Sequence, residues 1–220
     1  MTGKPKANNK KKSAPESKDK SKGKNKDKAR ADQLKIRDTI IRTALNLAAR
    51  DGWGKVNLNT IAQEADIALS TVQAHFKDRD DILRAYEESI DARLLDSMGT
   101  GDEDATPREM LFDLLMERFD ALNEQRAGMI AILDHSKCDP KLVARTMPHL
   151  GQAMAHLLEA ADIDTTGLKG MAHIFGLTGV YLLTLKTWRD DESPDLSKTM
   201  AALDRNLGRA EQLGATLGII

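Results

Sequence analysis

The short stretch "STVQAHF", residues 70–76, is rich in hydrogen-bonding side chains that could contact another molecule. The polar members are Ser70, Thr71, Gln73 and His75. Helical spacing would turn Val72 and Phe76 to one side and leave the polar groups on the other. A glutamine amide presented in this way can pair with N6 and N7 of adenine, and hydroxyl groups can bind phosphate. The stretch therefore indicates a short surface helix with duplex DNA as its candidate target.

A second group of residues could, by type, bind a metal ion. Asp134, His135 and Cys138 lie within five residues of one another, but no fourth ligand follows at a recognisable spacing, so structural roles are favoured. The sequence contains no nucleophile motif, glycine-rich phosphate loop or paired-carboxylate signature. We therefore expect no enzymatic activity, no metal site and no cofactor.

The net charge of −1 hides two oppositely charged parts. Residues 1–32 hold twelve basic and four acidic residues, a net charge of +8, which leaves −9 on the rest of the chain. Because Met1 is the only large apolar residue of this basic segment, we predict a disordered arm over 1–32. Such an arm could attract phosphate without reading sequence, or it could be a solubilising tail, and the sequence leaves both interpretations open.

Composition points to a protein that stays in a reducing compartment. The single cysteine, Cys138, excludes an intramolecular disulfide, and the start of the chain lacks the apolar region of a secretory signal, so we expect a cytoplasmic location. The most apolar segment, 168–188, is interrupted by Lys169, His173 and Lys186. A buried helix therefore explains it better than a membrane span.

Apolar residues recur at three- and four-residue steps after the arm, and no segment shows strand-like alternation, so the fold class predicted is all-α. A first helix from Leu34 should end at Gly52, and Asn57 or Asn59 should cap the second. The clearest break, 98–109, separates a predicted domain at 33–97 from a larger one at 107–213. Further helices are predicted at about 69–76, 78–98, 107–125, 127–137, 140–162, 168–189 and 195–213.

The second and third helices have the spacing of a helix-turn-helix. Such a pair needs a small residue on the first helix, a left-handed turn residue and an apolar anchor on the second, and Ala62, Asp66 and Val72 stand at those intervals. Aspartate tolerates the left-handed conformation better than most residues.

The stretch "IRDTIIRTALNLAARDGWGKVNLNTIAQEADIALSTVQAHFKDRDDIL" resembles the DNA-binding domain of the TetR family of bacterial repressors. The resemblance implies about nine helices, with an N-terminal three-helix helix-turn-helix domain followed by a larger ligand-binding and dimerisation domain. It also implies a regulator, a repressor in type, that binds double-stranded DNA as a homodimer and is released by a small apolar effector. Gln73 is then the candidate base reader. The DNA-contacting residues that it implies are Arg37, Asn57, Leu69, Ser70, Thr71, Gln73, Ala74, His75, Lys77 and Arg79.

Several positions depart from the TetR pattern. Gln73 stands where a tyrosine is usual, Ala68 and Leu69 replace a serine and a basic residue, and Lys77 replaces a proline. Residues 33–90 carry a net charge of −1, which is unfavourable for a phosphate-binding face.

A second, more distant resemblance connects the chain with TetR-fold accessory proteins of ubiquinone biosynthesis, which bind lipids. It rests on "RDGW" at 50–53 and on "TWRDDESPDLSKTMAALDRNL" at 187–207. The alternative function is therefore a lipid- or isoprenoid-binding accessory protein without sequence-specific DNA binding.

Two surfaces are predicted in the larger domain. A seam of Leu196, Met200, Leu203, Leu207 and Ala210 favours a homodimer interface within about 168–213, with an intramolecular core as the alternative. A methionine- and leucine-rich interior suits an apolar ligand, or is an ordinary core. Its candidate lining is Met110, Phe112, Leu115, Met116, Phe119, Met129, Ile132, Leu133, Met147, Met154 and Leu158.

Overall fold

The computed structural model describes residues 1–3, 18–97 and 105–218. Within these ranges the chain forms nine α-helices and no β-strand, so the all-α prediction is confirmed. The helices are α1 (Lys18–Asp51), α2 (Leu58–Glu64), α3 (Leu69–His75), α4 (Arg79–Ser97), α5 (Pro107–Asn123), α6 (Arg126–Ser136), α7 (Pro140–Ala160), α8 (Gly167–Arg189) and α9 (Ser197–Leu217). A 3₁₀ turn, Trp53–Lys55, joins α1 to α2. Contacts divide the chain into two compact units, Met1–Thr39 and Ile40–Ile220.

The first helix begins earlier than predicted. Part of the predicted arm, 4–17, lies outside the described residues, but from Lys18 the chain is helical and continuous with the segment expected from Leu34. No proline stands between Pro15 and Pro107, and lysine, alanine and arginine are good helix formers, so extending an existing helix costs little. The arm prediction therefore differs from the structure over 18–32.

Local signals fix the ends of the helices in the N-terminal region. The buried face of α1 includes Ile40, Ala44 and Ala48, and the helix ends before Gly52, whose φ of 85° favours glycine. Asn57 begins α2, because its side-chain oxygen accepts from the backbone N–H of Asn59 and Thr60 at 3.0 and 3.1 Å. The predicted cap is thereby assigned to Asn57.

Capping also sets the later helices. Thr106 and Glu109 form a capping box at the start of α5, and Asp139 accepts from two backbone N–H groups at the start of α7. The buried Asp191 accepts from the backbone N–H and the hydroxyl of Thr199 in α9, each at 2.8 Å. Burial alone raises the pKa of Asp191, but hydrogen bonds from Ser193 and Thr199 outweigh burial and hold that pKa well below its usual range.

The seam predicted on the last helix lies inside the single chain. Leu196, Leu203 and Leu207 are 2 %, 0 % and 5 % exposed, and α9 packs closely along α8. The intramolecular alternative is therefore the correct one for these three leucines. Their spacing is the same in both cases, because one apolar stripe serves either a neighbouring helix or a second chain.

Helix α8 is less covered than its composition predicts. Val180, Tyr181 and Trp188 are buried, but Phe175 and Leu183 are largely exposed. By length and composition alone, Gly167–Arg189 could cross a membrane, and 28 % of its apolar window is buried inside the chain. In the single chain, α8 is therefore buried on one side and exposed on the other. We call the exposed apolar set the α8 face, formed by Leu168, Met171, Phe175, Leu182 and Leu183.

The predicted pocket lining falls mainly in the core of the larger helical region. Leu115, Phe119 and Met154 are fully buried, whereas Met110, Phe112, Leu133 and Met147 are half-buried. Of the predicted lining residues, Phe112 also faces an open cleft of about 850 Å³ between the start of α5 and α9, together with Arg108 and Met200. Burial alone fits an ordinary core as well as a ligand site.

Candidate nucleic-acid interface

The turn between α2 and α3 has the geometry that a helix-turn-helix requires. Asp66 adopts the left-handed conformation, with φ of 52°, as predicted. The N–H of Ile67 donates to the carbonyl of Ala62 at 3.0 Å, and that of Asp66 donates to Gln63 at 3.4 Å. These two bonds make a Schellman ending with aspartate in the place where glycine is commonest. The predicted spacing of Ala62, Asp66 and Val72 is thus realised.

Helix α3 buries one side and exposes the other. Val72 is 0 % exposed and Phe76, which follows the helix, is 2 % exposed. Gln73, Ser70 and Ala74 are exposed, while Leu69, Thr71 and His75 are half-buried. Within the described ranges, no intramolecular hydrogen bond engages the side chains of Ser70, Thr71 or Gln73. The side-chain polar groups of Ser70, Thr71 and Gln73 are therefore unpaired within the described ranges.

Arg79, predicted as a phosphate contact, reaches inward instead. Its Nη1 donates to the carbonyls of Trp53 at 2.8 Å and Gly54 at 3.0 Å, and approaches that of Val56 at 3.4 Å. The guanidinium carbon lies 5.7 Å from the centre of a Trp53 ring, within the range of a cation–π contact. Three quarters of the Arg79 side chain is buried. The position of Arg79 close after α3 in the sequence does not indicate that its side chain points into the chain.

Three other predicted DNA contacts, Asn57, Lys77 and Arg37, lie outside α3 in the sequence. Asn57 is engaged in the α2 cap, and its amide nitrogen donates to the Lys55 carbonyl at 3.3 Å. Lys77 is exposed directly after α3. Arg37 is half-buried in the part of α1 that belongs to the first compact unit.

The start of α4, just beyond Lys77, is stabilised by an exchange of hydrogen bonds. Asp78 accepts from the N–H of Asp81 at 2.9 Å, and Asp81 accepts from the N–H of Lys77 at 3.1 Å. Burial works to raise the pKa of Asp81, but the Lys77 N–H and the Arg84 guanidinium prevail and lower it. The loop that follows α3 is therefore fixed in place.

Charges near the site are partly neutralised within the chain. Arg50 of α1 makes a bidentate pair with Glu64 of α2, at 3.0 and 3.1 Å, and also contacts Asp51. A shallow cleft of about 350 Å³ beside this pair is lined by Lys55 and Gln63, among others. The near-neutral charge of residues 33–90 is thus accompanied by internal pairing of Arg50 with Glu64 and Asp51.

The contacts of later helices with the helix-turn-helix region include two that sequence patterns did not indicate. Arg145 of α7 pairs with Asp80 of α4 at 2.5 Å. The ring of His135 in α6 lies so close to Gly54 that a β-carbon there would be 3.3 Å from His135 Cε1. Opposite charges separated by many residues are too common in a chain with 30 % charged residues to reveal such a pair.

Comparisons with known proteins agree with this geometry. Residues 40–86 match the family model for bacterial regulatory proteins of the tetR family. The TetR transcriptional regulator from Nitrosomonas europaea ATCC 19718 is 26 % identical, with a TM-score of 0.68 over 80 % of this chain and 98 % of that one. No curated protein has a significant sequence match.

Two further solved structures support the fold alone. A TetR transcriptional regulator from Rhodococcus sp. RHA1 is 16 % identical, with a TM-score of 0.56 over 80 % of this chain and 96 % of that chain. A putative transcriptional regulator from Pseudomonas aeruginosa PAO1 is 13 % identical, with a TM-score of 0.55 over 85 % of this chain and 95 % of that one. The resemblance to the TetR family is confirmed, for the helix-turn-helix region by the family model and for the fold by the solved structures.

Proposed function

We propose that the protein is a sequence-specific DNA-binding regulator, acting as a repressor, whose α3 enters the major groove. The observation that carries this proposal is the outer surface of α3, where Ser70, Thr71 and Gln73 present unpaired hydrogen-bonding groups while Val72 is fully buried. A short helix held by its apolar side and polar on its outer side fits the recognition helix of this motif. The TetR-type match over residues 40–86 supports the same conclusion.

The contacts divide by chemistry. Gln73, exposed near the middle of α3, reads a base pair, with adenine as its preferred partner because the amide can both donate and accept. Ser70, Thr71, His75 and Lys77 bind phosphate or flanking bases, and Leu69 and Ala74 add apolar contacts, such as to a thymine methyl group. Arg37 and Asn57, which lie outside α3 in the sequence, bind the phosphate backbone of the DNA.

We further propose that two copies associate through the α8 face. Phe175 is 72 % exposed, Leu168 82 % and Leu183 60 %. A contiguous apolar helix face on a protein that reads two DNA half-sites is explained by a second copy of the same chain. The region is the one predicted from sequence, 168–213, but the contacting residues lie on α8 rather than on the α9 seam.

The effector is proposed to be a small apolar molecule bound among the methionines and leucines of α5 to α8. Met116, Met129 and Met154 are buried there, and methionine adapts readily to ligands of varied shape. In this proposal the protein works in the cytoplasm, without enzymatic activity. Ligand-dependent thermal shifts of the full chain, measured against a panel of apolar acids, alcohols and isoprenoids, test the effector class.

Selection of duplexes from a random DNA library by the full chain tests DNA recognition itself. We expect enrichment of a two-part site, and a mobility shift in which the selected duplex binds at least about 1,000-fold more tightly than a scrambled one. Gln73→Ala should lower this affinity ratio by most of its value. Gln63→Ala, the same change at an exposed position of α2, should leave the ratio unchanged. Equal affinity for every duplex would contradict the proposal.

The second candidate function is a lipid-binding accessory protein with the same fold. The near-neutral charge of residues 33–90 and the absence of the usual tyrosine at Gln73 favour it. Native mass spectrometry of the purified protein distinguishes the two functions. A retained isoprenoid or lipid, together with no enrichment in the DNA selection, supports the accessory protein.

A further inference from the structure

The geometry points to Arg79 as a positioning residue for the recognition helix, and not as a phosphate contact. This inference rests on the proposed function, because positioning matters only if α3 reads DNA. Arg79 follows α3, whereas its acceptors, the carbonyls of Trp53, Gly54 and Val56, precede α2. One side chain thus ties together the two ends of the helix-turn-helix.

The chemistry of this tie requires arginine. A planar guanidinium can lie against the Trp53 ring while one of its nitrogens donates to backbone carbonyls. A lysine ammonium is a compact charge without a planar face, so it cannot make both contacts in this way. The contacts are also mostly shielded from solvent, since the Arg79 side chain is 25 % exposed. Its neighbour Asp80 pairs with Arg145, so the first turn of α4 is fixed from two sides. Any loosening at Arg79 would move the loop 76–78 and with it the end of α3.

The chain contains a second arginine with the same arrangement, which serves as an internal control. Arg126 Nη2 donates to the carbonyls of Trp188, Arg189 and Asp191 at 2.9, 3.1 and 2.6 Å. Its guanidinium carbon lies 4.8 Å from the centre of a Trp188 ring. This tie secures the end of α8, away from α3 in the chain. Both tryptophans of the protein therefore pack against an arginine whose guanidinium donates hydrogen bonds to several backbone carbonyls.

Full-length Arg79→Lys, Arg79→Ala and Arg126→Lys proteins test the inference, at a temperature where all are folded by circular dichroism. The probes are the duplex selected by the wild type and a scrambled duplex of equal length. For both Arg79 variants we expect the affinity ratio of selected to scrambled DNA to fall at least about 10-fold. The logarithmic salt slope on scrambled DNA should stay at the wild-type value.

A phosphate contact predicts a different pattern. Removing it in Arg79→Ala would reduce the salt slope by about 0.9, and lysine would restore both slope and affinity. That result overturns the inference. An equal loss of the ratio in Arg126→Lys would overturn it as well, because the effect would then follow from general destabilisation. An unchanged ratio with Arg126→Lys supports it.

Hydrogen exchange of the free proteins keeps the inference testable if the wild type selects no DNA site. We expect faster exchange at Val56 and across α3 in Arg79→Lys, and wild-type exchange there in Arg126→Lys. A wild type without sequence preference but with this exchange pattern refutes the proposed function and leaves the tie intact. Unchanged exchange in Arg79→Lys refutes the tie itself, whatever the DNA result.

Discussion

Replacing Phe175 on the α8 face should separate the proposed dimer without damaging the fold. An aromatic side chain buries about 150–250 Å² when fully covered, and Phe175 is already 28 % covered, because it is 72 % exposed. A partner could therefore cover about 140 Å² of it, worth about 3.5 kcal/mol at about 25 cal/mol per Å². Phe175→Ala loses most of this, and a symmetric interface loses it twice.

Buried area converts only partly into affinity, because association also costs entropy. We therefore expect Phe175→Ala to weaken dimerisation by at least about 100-fold, which corresponds to about 2.8 kcal/mol at about 1.4 kcal/mol per factor of ten. Sedimentation equilibrium over a range of protein concentrations measures this change. Leu95→Ala is the control, because Leu95 is a 45 % exposed apolar residue on α4, outside the α8 face. A dimer equally strong in Phe175→Ala and wild type would exclude the α8 face as the dimer interface, as would an equal loss in Leu95→Ala.

Three further predictions concern the turn, the cap of α9 and the arm. In urea unfolding, Asp66→Ala should lower the free energy of unfolding by about 1 kcal/mol, because a φ of 52° is costly for alanine. Ala68→Ser should raise it by about 1 kcal/mol, because serine supplies the side-chain cap that α3 lacks. A change of the opposite sign in either variant would contradict the turn geometry. The lowered pKa of Asp191 stabilises the fold above the ordinary aspartate pKa, and this stability is lost as pH falls below about 4. Asp191→Asn should therefore be less stable than the wild type at pH 7, and its free energy of unfolding should depend less on pH below about 4. The same pH dependence in variant and wild type would exclude this role of Asp191. Deleting residues 1–32 should reduce the salt slope of DNA binding by about 3.6 if about four lysines engage phosphate, and an unchanged slope would make the segment a solubilising tail.

Local chemistry made much of the fold predictable. The starts of α5 and α7 follow from Pro107, Pro140 and the capping residues Thr106 and Asp139, whose effects act within a few residues. The turn of the helix-turn-helix was predictable for the same reason, since Asp66 is one of the few residue types that tolerate left-handed geometry. The exposed surface of α3 followed from helical spacing alone.

Features that depend on distant partners were not predictable. The spacing of Leu203 and Leu207 could not distinguish packing against α8 from packing against a second chain. The direction of Arg79 depends on carbonyls more than twenty residues earlier in the chain, and no local pattern encodes it. The net charge of residues 33–90 includes Arg50, but a charge count does not reveal that Glu64 of α2 pairs with this residue.

A set of single base-pair changes across the selected duplex tests whether Gln73 reads a base pair. For the wild type, we predict that one adenine-containing position loses about 1–3 kcal/mol, or roughly 5- to 150-fold in affinity, when it is changed. For Gln73→Ala, the same change should cost nothing, while the other positions keep their wild-type preferences. Gln63→Ala should behave as the wild type at every position. If Gln73→Ala retains the full wild-type pattern, α3 does not read DNA through Gln73.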